Sequence, residues 1–309
     1  FAAVKNKTLT LEQTVPVSPK AWKVPGSKMF IEPQTPVTVK ELIHGMIIQS
    51  GNDACIALAE LIAGSEDTFV AMMNRQAQRL GLTGTHYMNA TGLTDAQHYT
   101  TARDLSKLAQ AIIRDFPEYY PIYSQKEYRW NNITQPNRNR LLWLDPTVDG
   151  MKTGHTKSAG FCLISTSKRG PRRLISVVLG TDSEDARAQE SLKLLNYGYL
   201  GYDAYTLYRK GQHVSELKVF KGAANTVGAG FAEDFILSLP KGVAPDRLKV
   251  QMVSKQPLLA PVAKGTVVGT LRLTLDGQPY GEHAVYATDD VPLAGFIGRS
   301  WDSVKMLFQ

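Results

Sequence analysis

The apolar residues of this chain change their spacing near residue 148, and this change constrains the fold more than any other feature. Before it, apolar side chains recur every three or four residues, which is the period of a helix with one buried face. After it, strand-forming residues make short runs separated by turn residues. Helices followed by an antiparallel sheet predict an α+β domain in which helices cover the sheet.

Four segments with helical spacing come first, at about 39–48, 53–64, 66–81 and 102–115. The first begins with Thr38-Val39-Lys40-Glu41, a capping box whose threonine and glutamate satisfy backbone N–H groups at the start of a helix. The second opens at Asp53, so Ser50-Gly51-Asn52 is predicted to form a turn between two helices.

Three strand-forming runs follow, at Val148–Thr156, Gly160–Lys168 and Arg173–Gly180. Arg169-Gly170-Pro171 joins the last two as a tight turn, and the runs together predict an antiparallel meander. A helix at about 184–197 closes this unit, and its domain is predicted to extend over residues 1–200.

In the rest of the chain, short apolar runs are separated by turn residues, and this pattern predicts a small all-β domain at 203–289. Its apolar runs are Asp234–Leu239, Leu248–Val253, Thr266–Leu275 and His283–Tyr286. Asp276-Gly277 is its strongest hairpin signal. Apolar residues recur with helical spacing after Pro292 and predict an amphipathic helix at 290–309 that lies in a membrane interface, or else docks on the β domain.

Charge narrows the class of partner. The 35 Lys and Arg residues outnumber the 28 Asp and Glu residues, and the net charge of +7 favours anionic polymers, anionic lipids or carboxylate substrates. Nucleic acid is not expected, because the basic residues are scattered and no nucleic-acid-binding signature occurs. No apolar stretch approaches the ~20 residues of a membrane-spanning helix. Cys55 and Cys162 are expected to be buried free thiols.

Two short motifs predict the chemistry. Ser50-Gly51-Asn52 lies at the turn between helices, and Lys152-Thr153-Gly154 lies on a predicted strand 102 positions later. Taken alone, Ser50-Gly51-Asn52 would be only a helix-breaking turn and Lys152-Thr153-Gly154 only the end of a strand. Together they offer a hydroxyl that relays a proton, an amide that binds a peptide group and a cation for a carboxylate. A substrate backbone can approach the bare Gly154 as an added strand, so the pair predicts one side of a peptide-binding cleft.

These motifs resemble those of the penicillin-binding proteins and serine β-lactamases. Over essentially its whole length, the chain is similar to the low-molecular-mass D-alanyl-D-alanine carboxypeptidases of the DacA type. The matching segments are Ile48–Ala54, Asn137–Asn139, Leu141–Trp143, Val148–Thr156 and the amphipathic tail. The resemblance implies a penicillin-binding/β-lactamase-like α+β domain followed by a small all-β domain and a C-terminal amphipathic helix.

The resemblance also implies roles for both motifs. Ser50 would shuttle protons and Asn52 would hold the substrate amide. Lys152, Thr153 and Gly154 would form the family's Lys-Thr-Gly element, which binds the substrate and polarises Ser50.

Three further positions complete the implied site. The backbone N–H of His155 would contribute to an oxyanion hole. Arg187 would receive the terminal D-Ala carboxylate and Arg138 would be a further cleft arginine, although an exposed surface arginine remains the alternative for each. The implied reaction removes D-Ala from peptidoglycan pentapeptides through a serine acyl-enzyme without a cofactor. β-Lactams would inhibit it, and the site of action would be the periplasmic face of the bacterial inner membrane.

One family element has no match. The Ser-x-x-Lys motif supplies the acylated serine, and it does not occur in the 49 residues before Ser50. Ser165–Lys168 and Ser215–Lys218 have the spacing, but both follow Lys-Thr-Gly and neither has helical geometry. Phe1–Lys7 lacks an N-cap and resembles the end of a helix, so the sequence is expected to be a fragment that forms no acyl-enzyme by itself.

Two alternative functions stay open. Glu60 or Glu66 could be the deacylation base of a serine β-lactamase, although such an enzyme would not need the second domain. A catalytically silent peptidoglycan-binding scaffold would keep the cleft without a nucleophile. No metal is expected, because no metal-ligand spacing connects residues such as His98, Asp149, His155 and Cys162.

Overall fold

The computed structural model describes residues 1–254 and 256–295. The chain divides into two compact units, with the boundary between Gly198 and Tyr199. In the described ranges, no helix has both the length and the apolar character needed to cross a membrane. The predicted amphipathic helix does not begin at residue 290, because Val291 and Leu293 form β-bridges with Val262 and Gly222 instead. The rest of that prediction, from Phe296 onward, lies outside the described residues.

The helices include every segment before residue 200 that has helical spacing in the sequence. They are α1 (Ala2–Lys5), α2 (Pro19–Lys23), α3 (Val39–Ile48), α4 (Asn52–Ala63), α5 (Glu66–Arg79), α6 (Ala102–Asp115), α7 (Leu141–Leu144) and α8 (Glu184–Gly201), with 3-10 turns at Tyr120–Ser124 and Pro245–Arg247. The four predicted helices are confirmed as α3 to α6. Helix α8 runs four residues beyond its predicted end. Gly198 does not stop it but permits a close approach to the sheet, since a Cβ there would lie 2.7 Å from Leu174 Cδ1.

Three sets of strands belong to the first unit. They are the pair β1 (Thr14–Val15) and β2 (Val37–Thr38), the hairpin β3 (Glu127–Trp130) and β4 (Ile133–Pro136), and the antiparallel meander β5 (Val148–Thr156), β6 (Gly160–Arg169) and β7 (Arg172–Thr181). The predicted meander is confirmed, with β5 at one edge. The β3–β4 hairpin was not predicted. Its turn residues Asn131 and Asn132 both have positive φ, which asparagine tolerates.

The meander is packed between two apolar clusters. Leu163 and Leu174 belong to the cluster that contains Leu195 of α8, whereas Ile164 and Ile175 pack against the larger cluster, to which α3 and α4 contribute most. Because successive strand residues point to opposite faces, helices cover both faces of the sheet. The predicted α+β arrangement is therefore confirmed.

The second unit is β-rich. Its strands are β8 (Tyr202–Tyr208), β9 (His213–Phe220), β10 (Thr226–Gly230), β11 (Phe235–Pro240), β12 (Leu248–Ser254), β13 (Leu258–Leu259), β14 (Val267–Leu275) and β15 (Gln278–Ala287). Asp276 and Gly277 join β14 to β15 with positive φ at both positions, so the predicted hairpin is confirmed. Strand β15 begins five residues before the predicted run, because its first residues pair with β14 without being an apolar stretch.

The capping box of α3 allows a stability prediction. The Thr38 hydroxyl accepts the N–H of Glu41 at 3.3 Å, and the Glu41 carboxylate accepts the N–H of Thr38 at 2.8 Å. We expect Thr38→Ala to lower the free energy of unfolding by about 1 kcal/mol, measured by urea denaturation. Thr10→Ala, at an exposed position, is the control. Equal losses in both variants would contradict a specific role for the cap.

Candidate active site

An open cleft of about 910 Å³ lies in the first unit. Its walls include the turn between α3 and α4, the outer end of β5 and the segment 26–30. Every site residue predicted from the sequence lines it: Ser50, Asn52, Arg138, Lys152, Thr153, Gly154, His155 and Arg187. The cleft is therefore the place where the chemistry of the two motifs can be combined.

A hydrogen bond joins the two motifs. Lys152 Nζ donates to Ser50 Oγ over 2.7 Å and to the carbonyl of Thr153 over 2.9 Å. Ser50 has a φ of 58°, the left-handed conformation, which for a residue other than glycine costs roughly 1–3 kcal/mol and is concentrated at functional sites. The turn holds the serine hydroxyl beside the lysine although the two residues are 102 positions apart.

The surroundings of Lys152 change its acidity. Burial lowers the pKa of the Lys152 ammonium to about 8, and the positive charges of Arg138 and Arg187 also lower it. An amine with a pKa near neutral pH can both give up and take back a proton under physiological conditions. Lys152 is thus suited to proton transfer through the hydroxyl of Ser50.

Asn52 is held at the first position of α4. Its backbone N–H donates to the carbonyl of Ser27 and its Nδ2 donates to the carbonyl of Pro25, both over 2.8 Å. Gly26 has a φ of 87°, and a Cβ there would lie only 2.7 Å from Asn52 Nδ2. The segment 25–27 therefore packs directly against Asn52 and forms the adjoining wall of the cleft.

Asp53 is a residue whose role sequence reasoning missed. Its buried carboxylate accepts the N–H groups of Met29, Phe30 and Ile31 over 2.8–3.2 Å. The sequence showed Asp53 only as the start of a helix, because its partners lie 22–24 positions earlier and no spacing rule connects them. Asp53 fixes the wall segment to the same helix end that carries Asn52.

The outer end of β5 presents backbone to the cleft. Gly154 and His155 are exposed, and the His155 ring stacks on the Phe161 ring with centroids 3.9 Å apart. A Cβ on Gly154 would meet Cys162 Cβ at 3.8 Å, an ordinary contact, so the fold itself does not require glycine there. The missing side chain instead leaves room for a molecule in the cleft.

The two arginines have different settings. Arg187 lies in the first turn of α8 and is only 3% exposed, so it is not a surface arginine. Its guanidinium donates to the carbonyl of Gly154 over 3.3 Å and pairs with Glu184, and burial lowers its pKa. Arg138 is exposed on the rim and donates to Ser27 Oγ over 2.7 Å.

Both cysteines are free thiols, as predicted, but the expectation that they are buried is wrong. Cys55 and Cys162 are half-buried and line the cleft, because the chain folds its two motif-bearing segments around that opening. Desolvation raises the pKa of the Cys55 thiol to about 12, so this thiol stays protonated at neutral pH.

The alternative nucleophile Ser165 and the alternative bases Glu60 and Glu66 do not line the cleft. Ser165 is fully buried on β6 and bonds to Ser176, which agrees with the exclusion of Ser165–Lys168 as a nucleophile motif. Glu66 accepts the N–H of Ala90 and pairs with Lys20, and neither Glu60 nor Glu66 is among the cleft-lining residues. In the part of the chain that the structure describes, no group of three or more His, Cys, Asp or Glu residues could hold a metal ion.

Comparisons with known proteins identify the family of the chain. Residues 1–183 match the family described as D-alanyl-D-alanine carboxypeptidase, and residues 202–293 match the C-terminal domain of penicillin-binding protein 5. The chain is 39% identical to D-alanyl-D-alanine carboxypeptidase DacC of Escherichia coli, over 99% of this chain and 78% of that protein. Identity to DacA of Haemophilus influenzae is also 39%, over 99% and 80% of the two chains.

Solved structures give the same result. Penicillin-binding protein 5 from Haemophilus influenzae superposes with a TM-score of 0.77 at 38% identity, covering 94% of this chain and 86% of that one. A penicillin-binding protein of Listeria monocytogenes in its ampicillin-bound form superposes with a TM-score of 0.58 at 28% identity, over 64% of this chain and 81% of that one. The predicted fold class, a penicillin-binding/β-lactamase-like domain followed by a β-rich domain, is confirmed. The chain belongs to the D-alanyl-D-alanine carboxypeptidase family of serine peptidases.

Proposed function

We propose that the cleft binds the D-Ala-D-Ala end of peptidoglycan stem peptides and that the protein is a serine-type carboxypeptidase that removes the terminal D-Ala. The hydrogen bond between Lys152 Nζ and Ser50 Oγ within this cleft carries the proposal. It supports a pathway for proton transfer beside a bound peptide, in a chain that belongs to a carboxypeptidase family.

The substrate backbone adds to the edge of the sheet in this proposal. Strand β5 is at one edge of the meander, and Gly154 and His155 are exposed there. An extended peptide can hydrogen-bond to such an edge, with the N–H of His155 directed to the attacked carbonyl as an oxyanion-hole donor. Asn52 binds the peptide amide from the neighbouring wall.

The terminal carboxylate meets Arg187. This guanidinium is buried and held by the carbonyl of Gly154, so it is a preorganised cation at the end of the edge strand. Lys152 and Thr153, which precede Gly154 on β5, line the same cleft. A guanidinium can bind both oxygens of a carboxylate, which favours peptides with a free C-terminus.

Protons move through Ser50. Its hydroxyl passes a proton to the departing amine of D-Ala, and the Lys152 ammonium, which already donates to Ser50 Oγ, replaces that proton. The acylated serine of this family belongs to a Ser-x-x-Lys motif, and no serine of the present sequence is given that role. Water then hydrolyses the acyl-enzyme.

The location follows from the substrate. Peptidoglycan stem peptides are exposed on the periplasmic side of the inner membrane, and we place the protein there. Association with the membrane surface through residues 290–309 is supported by the amphipathic pattern of the sequence alone. Stem peptides and β-lactam antibiotics are the proposed ligands.

Fluorescent penicillin tests the function. The native protein, taken from its host and identified by peptides of residues 1–309, is expected to form a long-lived adduct that ampicillin prevents. Release of the hydrolysed drug within seconds would support the β-lactamase alternative. Absence of any adduct would support the silent scaffold. An adduct on Ser50 would contradict its role as a proton relay.

Lys152→Ala tests the role of the ammonium in acylation. The variant of the native protein is expected to be acylated about 10²-fold more slowly, because Ser50 loses its donor and the cleft loses a cation. Lys168→Ala, at an exposed position on β6, is the matched control. Stopped-flow measurement with a chromogenic cephalosporin gives both rates, and equal rates would remove Lys152 from the mechanism.

The pKa of Lys152 predicts how ligand affinity depends on pH. A bound carboxylate favours the Lys152 ammonium and raises its pKa above the value of about 8 that it has without ligand. The affinity for a carboxylate ligand is therefore highest below pH 8 and falls as the pH rises above 8. The decline is at most about tenfold per pH unit. Calorimetric titration with acetyl-D-Ala-D-Ala from pH 6 to pH 10 measures it.

Lys152→Arg is the matched variant for this titration. An arginine stays charged throughout the range, so its affinity is expected to remain level whatever its value at pH 7. A level profile in the unaltered protein would contradict the assignment of Lys152 to carboxylate binding.

A further inference from the structure

We infer that Lys28 and Arg138 form a second carboxylate subsite in the cleft, which binds a free carboxylate on the amino-terminal side of the D-Ala-D-Ala pair. This inference rests on the proposed function, because it names a further part of the same substrate. Both residues line the cleft, and Ser27 connects them: it precedes Lys28 in the chain, and its hydroxyl accepts a hydrogen bond from Arg138.

Hydrogen bonds fix both the backbone and the side chain of Lys28. Its carbonyl accepts a hydrogen bond from Gln135 Nε2 over 2.9 Å, and its Nζ donates to the carbonyl of Trp22 over 2.7 Å. The preceding residues are held against Asn52 by the hydrogen bonds to Pro25 and Ser27. Lys28 therefore belongs to a wall whose geometry is set before any ligand enters.

The charges of Lys28 and Arg138 are not paired with a carboxylate in the described part of the chain. Among residues 1–254 and 256–295, neither Lys28 nor Arg138 makes an ion pair with a carboxylate. Arg187, by contrast, is paired with Glu184 and bonded to the carbonyl of Gly154. Lys28 has one donor occupied of the three on an ammonium, so it retains N–H groups for an anion.

The proposed direction of the substrate explains which carboxylate binds here. The terminal carboxylate lies at Arg187, and the peptide continues past Asn52 toward its amino end. The wall segment packed against Asn52 carries Lys28, so the groups that reach it precede the D-Ala pair. Stem peptides offer two such carboxylates, one on the side chain of a diaminopimelate residue and one on the α-carbon of a γ-linked D-glutamate.

Peptide affinities test the subsite. Calorimetry on this 309-residue chain would use acetylated peptides ending in D-Ala-D-Ala, with either diaminopimelate or γ-D-glutamyl-lysine before the pair. Each peptide would be compared with its counterpart in which only the internal carboxylate is amidated. We expect one acidic peptide to bind about three- to fivefold more tightly than its amide, the range of a partly exposed ion pair. The difference should shrink as salt rises from 0.05 M to 0.5 M.

Variants separate this subsite from the rest of the cleft. Lys28→Met is expected to abolish the preference for the acid and Lys28→Glu to reverse it, whereas Lys23→Met, an exposed lysine on α2, should retain it. A preference for the diaminopimelate peptide would identify the side-chain carboxylate as the ligand, and a preference for the γ-D-glutamyl-lysine peptide would identify the α-carboxylate of D-glutamate. Binding of all peptides without any preference, or a preference that survives Lys28→Met, overturns the subsite alone. Failure of every peptide to bind overturns the proposed function together with it.

Discussion

The hydrogen bond from Lys152 to Ser50 is the contact on which the whole site depends. It connects the helical layer to the edge of the sheet within the cleft, and each partner is held in place by its own secondary-structure element. The serine sits in a left-handed turn that only a small neighbour permits, since a Cβ on Gly51 would lie 2.7 Å from Asp53 Oδ1 and 3.0 Å from the nitrogen of Met29. The lysine is fixed by the pairing of β5 with β6.

Two carboxylates outside the motifs keep these partners in place. Asp53 binds three backbone N–H groups of the wall segment 29–31. Asp149, three residues before Lys152, accepts two hydrogen bonds from Arg173 at 2.6–2.7 Å and one from Thr166 at 2.8 Å. Hydrogen bonds to a charged acceptor contribute about 1.5–3 kcal/mol each, so both anchors hold the motifs more firmly than neutral contacts would.

The charge of the cleft gives the site its preference for anions. Lys28, Arg138, Lys152 and Arg187 line it, and Glu184 is the carboxylate among the described lining residues. The net charge of the chain indicated anionic partners without indicating where they bind. Folding concentrates part of that charge around one opening, where the low exposure of Arg187 strengthens its field.

Local patterns in the sequence determined the longer helices, the meander and the last hairpin, because each signal acts between residues a few positions apart. The capping box at Thr38 begins α3, and Asp276-Gly277 turns the last hairpin, as their residue types require. The two motifs also predicted the chemistry of the site. Only the tertiary structure decided that Lys152 meets Ser50, that Asp53 holds the neighbouring wall, and that both thiols face the cleft. The contacts of Lys152 and Asp53 join residues 22–102 positions apart and depend on how the layers pack, which no periodicity encodes.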